Sequence, residues 1–232
     1  MEPVKLALFD FDGTLIKGDS IVAYLKLARR LKALPLGRFA GILLRLPLWA
    51  VKLISDADNK SYALSFYAAL SPERQLALDR VFCDEYLLPR LFPMGRATLE
   101  AKKQEGYHVI LLSASTENYM QHVAKALQVD GLICTKLDAQ ARVTENCKGE
   151  MKVQLLKRYL KEKEMEADFD ASCAYGDSKS DLSIMNLVGN PTENYARNTD
   201  PQKLTDYVRF CVEQMKAASD EWEARLKGEH IG

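Results

Sequence analysis

Short apolar runs alternate with helix-periodic segments along this chain, with one long interruption after the first run. Val4 to Phe9 is an apolar run ending at Asp10, and Tyr107 to Leu112 is a second, entered from Glu105-Gly106. Gly131 to Thr135 is a third, Ser172 to Tyr175 leads into Gly176 as a fourth, and Leu187-Val188 before Gly-Asn-Pro opens a fifth. Helical material lies near each run: Met120, Val123, Ala124 and Leu127 fall at i, i+3, i+4 and i+7, one face of a helix. The pattern predicts an α/β fold with a mostly parallel sheet covered on both faces.

The interruption runs from about Lys17 to Pro93 and reads as nearly all helix, a separate cap inserted after the first strand. Ile21 to Leu31, Leu36 to Ile54 and Asp58 to Leu70 are its first three helical stretches. Ser71-Pro72-Glu73 then supplies an N-cap, a proline at N1 and an acid in the first turn, opening a helix towards Leu88. In the apolar segment 34–54, Arg38, Arg45 and Lys52 recur every seventh residue. Those cations, with Pro35 and Pro47, argue against a membrane span. Two readings remain: a helix packed within the cap, or a basic amphipathic helix lying on an anionic membrane surface. Lys203 to Leu226 reads as one long helix with an apolar stripe, either covering the core or forming a dimer face.

Composition narrows the function classes. Apolar residues make up 47% of the 232 and charged residues 28%, which suits a globular protein and argues against disorder. Lys plus Arg is 32 and Asp plus Glu is 32, so the basic excess expected of a nucleic-acid binder is missing. The five cysteines include no C-x-x-C pair, which speaks against structural zinc and against a disulfide framework. His108 and His122 lack metal-ligand partners at suitable spacing. Met1-Glu2-Pro3-Val4-Lys5 runs directly into a strand without a signal-peptide pattern, so the expectation is a cytoplasmic protein, monomer or homodimer.

Four strand-to-helix junctions carry the chemistry. Asp10-Phe11-Asp12-Gly13-Thr14-Leu15 puts two acids at the end of the first strand, where open parallel sheets bind ligands. Ser113-Ala114-Ser115 places a hydroxyl at another strand end, followed at once by a helix N-terminus able to hold an anion. Lys152 begins a helix in Gly149-Glu150-Met151-Lys152-Val153, and Lys148 is the nearby alternative cation. Gly176-Asp177-Ser178-Lys179-Ser180-Asp181 sets two carboxylates four residues apart.

In this order and spacing, DFDGTL at 10–15, SAS at 113–115, Lys152 and GDSKSD at 176–181 resemble the haloacid dehalogenase superfamily of aspartate-nucleophile phosphotransferases. The tract from Asn146 to Val153 and the helical insertion resemble subfamily IB, which contains phosphoserine phosphatase. The resemblance implies a Rossmann-like core at 1–16 and 93–232, with a type C1 helical cap at 17–92. It implies Asp10 as the nucleophile that forms an aspartyl-phosphate, and Asp12 as the acid that protonates the leaving alcohol and then activates water. It implies Mg²⁺ held by Asp10, the Asp12 carbonyl, Asp177 and Asp181. Ser113, the Ala114 N–H and Lys152, favoured over Lys148 by the Gly-Glu-Met-Lys-Val match, would hold the phosphoryl oxygens. A carboxylate attacking a phosphate dianion needs such cations, since each like-charge pair at 4 Å costs roughly 4 kcal/mol at an effective dielectric near 20.

The implied activity is a Mg²⁺-dependent phosphomonoester hydrolase acting on a small organic phosphate such as phosphoserine or histidinol phosphate. Gly13 replaces the serine of the phosphoserine phosphatase D-x-D-S-T pattern, and Asp19 stands as the specificity candidate where the family often has Glu. The alternatives are a membrane-surface phosphatase acting on a phospholipid headgroup, and a non-catalytic phosphate-binding regulatory protein. The presence of both Asp10 and Asp12 argues against the latter.

Overall fold

A computed structural model describes residues 3–193, so the expected helix at 203–226, with Cys211 and Trp222, lies outside the described residues. Six strands form one sheet: β1 (Val4–Phe9), β2 (His108–Thr116), β3 (Gly131–Leu137), β4 (Val143–Glu145), β5 (Ala167–Gly176) and β6 (Asn190–Glu193). Their order is β4-β3-β2-β1-β5-β6, and every pairing is parallel except β3 with β4. β1 is central, and Leu6 to Phe9 are fully buried. Alternate residues of a strand face opposite sides. Ala7 and Phe9 accordingly join one core cluster with Val109 and Leu111, while Leu6 and Leu8 join the other with Ile110 and Leu112.

The helices are α1 (Ser20–Arg30), α2 (Leu36–Ala50), α3 (Asp56–Leu64), α4 (Pro72–Val81), α5 (Pro93–Gln104), α6 (Glu117–Ala126), α7 (Glu150–Glu162) and α8 (Leu182–Met185). α7 and α8 supply Leu155, Leu156, Leu160, Ile184 and Met185 to the Leu6 side of the sheet. The Phe9 side takes Leu99 of α5, Tyr119, Met120 and Val123 of α6, and the apolar residues of α1 to α4. These four helices fall between β1 and β2, the helical insertion expected from the sequence.

Several elements depart from the sequence pattern for identifiable reasons. β5 begins at Ala167 rather than Ser172, because polar Asp168 and Asp170 mask its first half. There the ladder with β1 shifts register, and the Ser172 hydroxyl accepts the Leu6 N–H at 2.8 Å. Leu187 and Val188 belong to the turn before β6, which itself contains Pro191. The three-residue β4 is too short to show a period and is held by its hairpin, where the Asp138 N–H donates to the Arg142 carbonyl at 2.9 Å.

In the cap, Ser55 and Ser71 cap α3 and α4, accepting the N–H groups of Asp58 and Arg74. α4 does not run to Leu88 as one helix. It widens into a π-helical stretch over Phe82–Leu87, where the Phe82 ring packs on Tyr24, Tyr86 and Tyr119, and a 3₁₀ turn spans Leu88–Arg90 around Pro89. α2 ends at Ala50 and not Ile54, with Lys52 past its end at φ 61°. Arg38 and Arg45 lie over the Tyr62 ring of α3, at 4.9 and 4.5 Å from its centroid. The cations of α2 thus meet an aromatic ring of the cap, while Leu36, Leu43, Leu44 and Leu48 are exposed. No helix among the described residues is long and apolar enough to cross a membrane. Cys83, Cys134, Cys147 and Cys173 are free and buried.

Candidate active site

The site forms where β1, β2 and β5 end side by side and α7 starts beneath them. Asp10 continues the line of β1, its N–H donating to the Tyr175 carbonyl at 2.9 Å. The chain then turns tightly, with the N–H groups of Thr14, Leu15 and Ile16 all directed at the Phe11 carbonyl. Gly13 makes the turn at φ 79°, and a Cβ there would stand 2.0 Å from Asp177 Oδ2. Only glycine lets the Asp177 carboxylate lie across this loop.

Asp10 is 6% exposed. Burial pushes its carboxyl up to about 6, with Lys152 pulling it down and Asp181 and Asp177 adding to the rise. Lys152 reaches up from the first turn of α7, wholly buried, and donates to Asp10 Oδ1 at 2.7 Å and Asp181 Oδ1 at 2.5 Å. Burial disfavours its charge, but Asp10 and Asp181 outweigh that and hold the ammonium above the ordinary lysine value. The second oxygen of Asp181 accepts the N–H and hydroxyl of Ser178 at 3.1 and 2.6 Å, which locks it in place. Carboxylate oxygens of Asp10, Asp177 and Asp181 lie within 4.8 Å of one another. An all-oxygen set of three carboxylates fits a hard divalent cation that keeps some of its waters, as Mg²⁺ does.

The side chain of Asp12 stands apart from that acid cluster. Its Oδ2 accepts the hydroxyls of Ser115 at 2.5 Å and Ser20 at 2.9 Å, and its Oδ1 accepts the Ser20 N–H at 2.9 Å. Burial raises its carboxyl to about 7, with Asp19 and Asp10 adding and the two serine hydrogen bonds opposing. A carboxyl poised there can give and take a proton near neutral pH.

β2 bulges between Ser113 and Thr116, which turns Ser113 and Ser115 into the site. Ser113 is buried, and its oxygen accepts the Ser115 N–H at 3.1 Å. The Ala114 carbonyl accepts Thr135 Oγ1 and Lys60 Nζ, both at 2.7 Å, which fixes the peptide between them. Lys148 points elsewhere: it is exposed and paired with Asp56 of α3. Asp19 is the N-cap of α1, its Oδ1 accepting the Val22 N–H at 3.0 Å.

The sequence alone does not single out Ser20, Tyr119, Lys60 or Asn146. Ser20 joins Ser115 and Tyr119 through hydroxyl hydrogen bonds of 2.7 and 2.9 Å. Lys60 crosses from α3 to the core, donating also to Asn146 Oδ1 at 2.8 Å, and burial with the neighbouring Lys148 lowers its ammonium to about 8. No motif spacing links these residues to Asp12. The one usable signal is the second serine of Ser113-Ala114-Ser115. Above Asp12, Ala114 and Ser115 opens a cavity of about 300 Å³, walled by α1, α2 and α3.

Comparison with known proteins places the chain in a family. A histidinol-phosphatase from Neisseria meningitidis is 25% identical, over 81% of this chain and 88% of the relative. Protein CicA of Caulobacter vibrioides is 27% identical, over 81% and 84% respectively. Among solved structures, a protein of unknown function from Bordetella pertussis superposes with a TM-score of 0.72 at 22% identity, over 82% of this chain and 89% of that one. A phosphoserine phosphatase captured as a phospho-aspartyl intermediate analogue superposes at 0.53 with 19% identity, over 82% and 86%, a likeness of fold. The model of the haloacid dehalogenase-like hydrolases matches residues 7–186, from the first strand through all four junctions, and the chain belongs to that family.

Proposed function

We propose that this protein is a Mg²⁺-dependent phosphoric monoester hydrolase that works through an aspartyl-phosphate on Asp10. The observation that carries this reading is the pairing of two buried carboxyls with opposite surroundings. Asp10 lies on a lysine beside two further acids and Asp12 lies on hydroxyls, while burial raises both carboxyls, to about 6 and about 7 respectively. Environments that differ in this way separate a nucleophile from a proton carrier.

In the first step an Asp10 oxygen bonds to phosphorus and the ester P–O bond breaks, while Asp12 passes its proton to the departing alkoxide. In the second, Asp12 takes a proton from water, the water oxygen bonds to phosphorus, and inorganic phosphate leaves with Asp10 restored. Lys152, the Ser113 hydroxyl and the Ala114 N–H orient the phosphoryl oxygens and offset their charge, which is most of what such a transfer asks of a protein. Asp10, Asp177, Asp181 and the Asp12 carbonyl would hold Mg²⁺, which when bound neutralises the phosphate dianion beside Asp10. Residues 1–16 and 93–232 form the catalytic unit and 17–92 the cap in this reading. The backbone bridge between Ile16 and Leu91, where the chain leaves and returns, supports that division.

The test is phosphate release from a monoester panel with Mg²⁺, including phosphoserine and histidinol phosphate, the latter prompted by the name of the Neisseria relative. Asp10→Asn is expected to lower turnover by on the order of 10⁴-fold or more. Wild-type turnover in that variant would overturn the reading. Asp12→Asn is expected to slow the second step and let labelled phosphoprotein accumulate.

A further inference from the structure

We propose that the group carried on the ester oxygen is a hydrocarbon chain lying in the cap cavity, so that the substrate is an amphipathic phosphate monoester. This rests on the phosphatase reading above and specifies what that site hydrolyses.

The cavity of about 300 Å³ is continuous with the catalytic residues, since Asp12, Ala114 and Ser115 form its floor. That volume is within the range of small-molecule sites. Its walls are mostly carbon, from Leu25 of α1, Phe39, Ile42, Leu46 and Trp49 of α2, and Ala63 of α3. A leaving group departing towards the cap therefore enters apolar surroundings.

The charged groups at the rim are largely committed. Asp56 accepts Trp49 Nε1 at 2.6 Å and the Lys148 ammonium. Lys60 is spent on the Ala114 carbonyl and Asn146, and Asp19 accepts the Val22 N–H at the start of α1. Among the described residues of the wall, Asn59 Oδ1 is a buried acceptor without a partner, which suits a single hydroxyl near the ester. An amino acid headgroup would lose the hydration of its ammonium and carboxylate here, with only the exposed Lys26 and the second oxygen of Asp19 to offset that loss. A hydrocarbon chain gains instead, by up to about fourfold in affinity per buried methylene.

The test is kcat/KM for monomeric n-alkyl phosphates from ethyl to octyl, with Mg²⁺. The expected result is a rise with chain length, up to about fourfold per methylene until the cavity is filled. Leu46 lies in the cavity wall and is 40% exposed, so a charge there is expected to leave the cap folded. Leu46→Glu is expected to flatten the series, and Leu46→Met to keep the slope. A flat wild-type series overturns the proposal and leaves the phosphatase reading standing. Calorimetric titration with n-alkylphosphonates separates the two in the other direction. Affinity that rises with chain length in a protein without turnover upholds the cavity assignment and overturns the catalytic one. A dimer that Leu46→Glu dissociates, together with a flat series, would assign this face to a second copy of the chain and also overturn the proposal. Phosphatidic acid in phosphatidylcholine vesicles, run beside octyl phosphate, tells a bilayer source from a free one. Turnover of either, above that of ethyl phosphate, supports the chain.

Discussion

Gly13 and Asp177 occupy space that a larger pair could not share. With its Cβ position 2.0 Å from Asp177 Oδ2 and φ at 79°, position 13 admits serine only if Asp177 moves away from Asp10 and Asp181. Gly13→Ser, which restores the phosphoserine phosphatase pattern, is therefore expected to lower activity by about 10- to 100-fold, the usual cost of misorienting a metal-site carboxylate. Titrating activity against Mg²⁺ checks this, with the loss expected as a higher Mg²⁺ concentration for half-maximal activity. Ser20 acts on Asp12 in a different way, through a hydroxyl and an N–H on its two oxygens. Ser20→Ala removes one of these and is expected to lower kcat several-fold with KM little changed, because Asp12, the proposed proton carrier, is loosened while the proposed phosphate contacts remain.

At the level of elements, Asp79 of α4 binds the cap bundle to the core. It accepts the hydroxyl of Tyr24 at 2.6 Å, that of Tyr67, and Nδ2 of Asn118 in α6 at 2.8 Å. Asp79→Ala leaves three donors without their acceptor in a buried position, and a loss of about 2–4 kcal/mol is expected in urea unfolding. Asp79→Asn, which keeps an acceptor, is expected to lose less. Nothing in the sequence singles out Asp79, because a lone acid on an otherwise polar helix looks like a solvated one. Three of the candidate-site junctions were legible because they sit at the ends of β1, β2 and β5, where spacing carries the chemistry, and Lys152 through the helix that it opens. What spacing cannot show is the bulge that turns Ser115 towards Asp12, or the π-helical stretch at Phe82. Both depend on partners distant in the chain. α2 was legible as a helix but not in its orientation, since a periodic row of cations reads as a solvent face until Tyr62 is placed beneath it.

Across the whole molecule, cap and core share the apolar cluster on the Phe9 side of the sheet and, around the cavity, also meet through a few polar contacts. Ser61 Oγ accepts the Val143 N–H at 2.9 Å, Lys148 pairs with Asp56, and Lys60 reaches Ala114 and Asn146. Lys60 gives this seam a pH dependence. The unfolded chain keeps its proton to about 10.5, whereas the folded protein releases it near 8. Unfolding therefore takes up a proton between those values, and stability rises with pH across that window. Comparing wild type with Lys60→Met in denaturant at pH 7 and pH 10 is expected to show wild type gaining roughly 2 kcal/mol relative to the variant, after allowance for solvent screening. An unchanged difference would place Lys60 in water.

Ser20 also bears on how such a protein can diversify. It is the first residue of α1, and so of the helices that surround the cavity, yet its hydroxyl touches Asp12, Ser115 and Tyr119. In the proposed reaction, the module that faces the organic group and the residue that moves the proton meet at this one side chain. A cap inherited from another lineage would bring new walls without harm to the chemistry, provided that it arrived with a hydroxyl at this joint. Without one, even a cap of ideal shape would leave Asp12 on the Ser115 hydroxyl and a backbone N–H alone, so the seam constrains which caps this core can carry more than the bundle does.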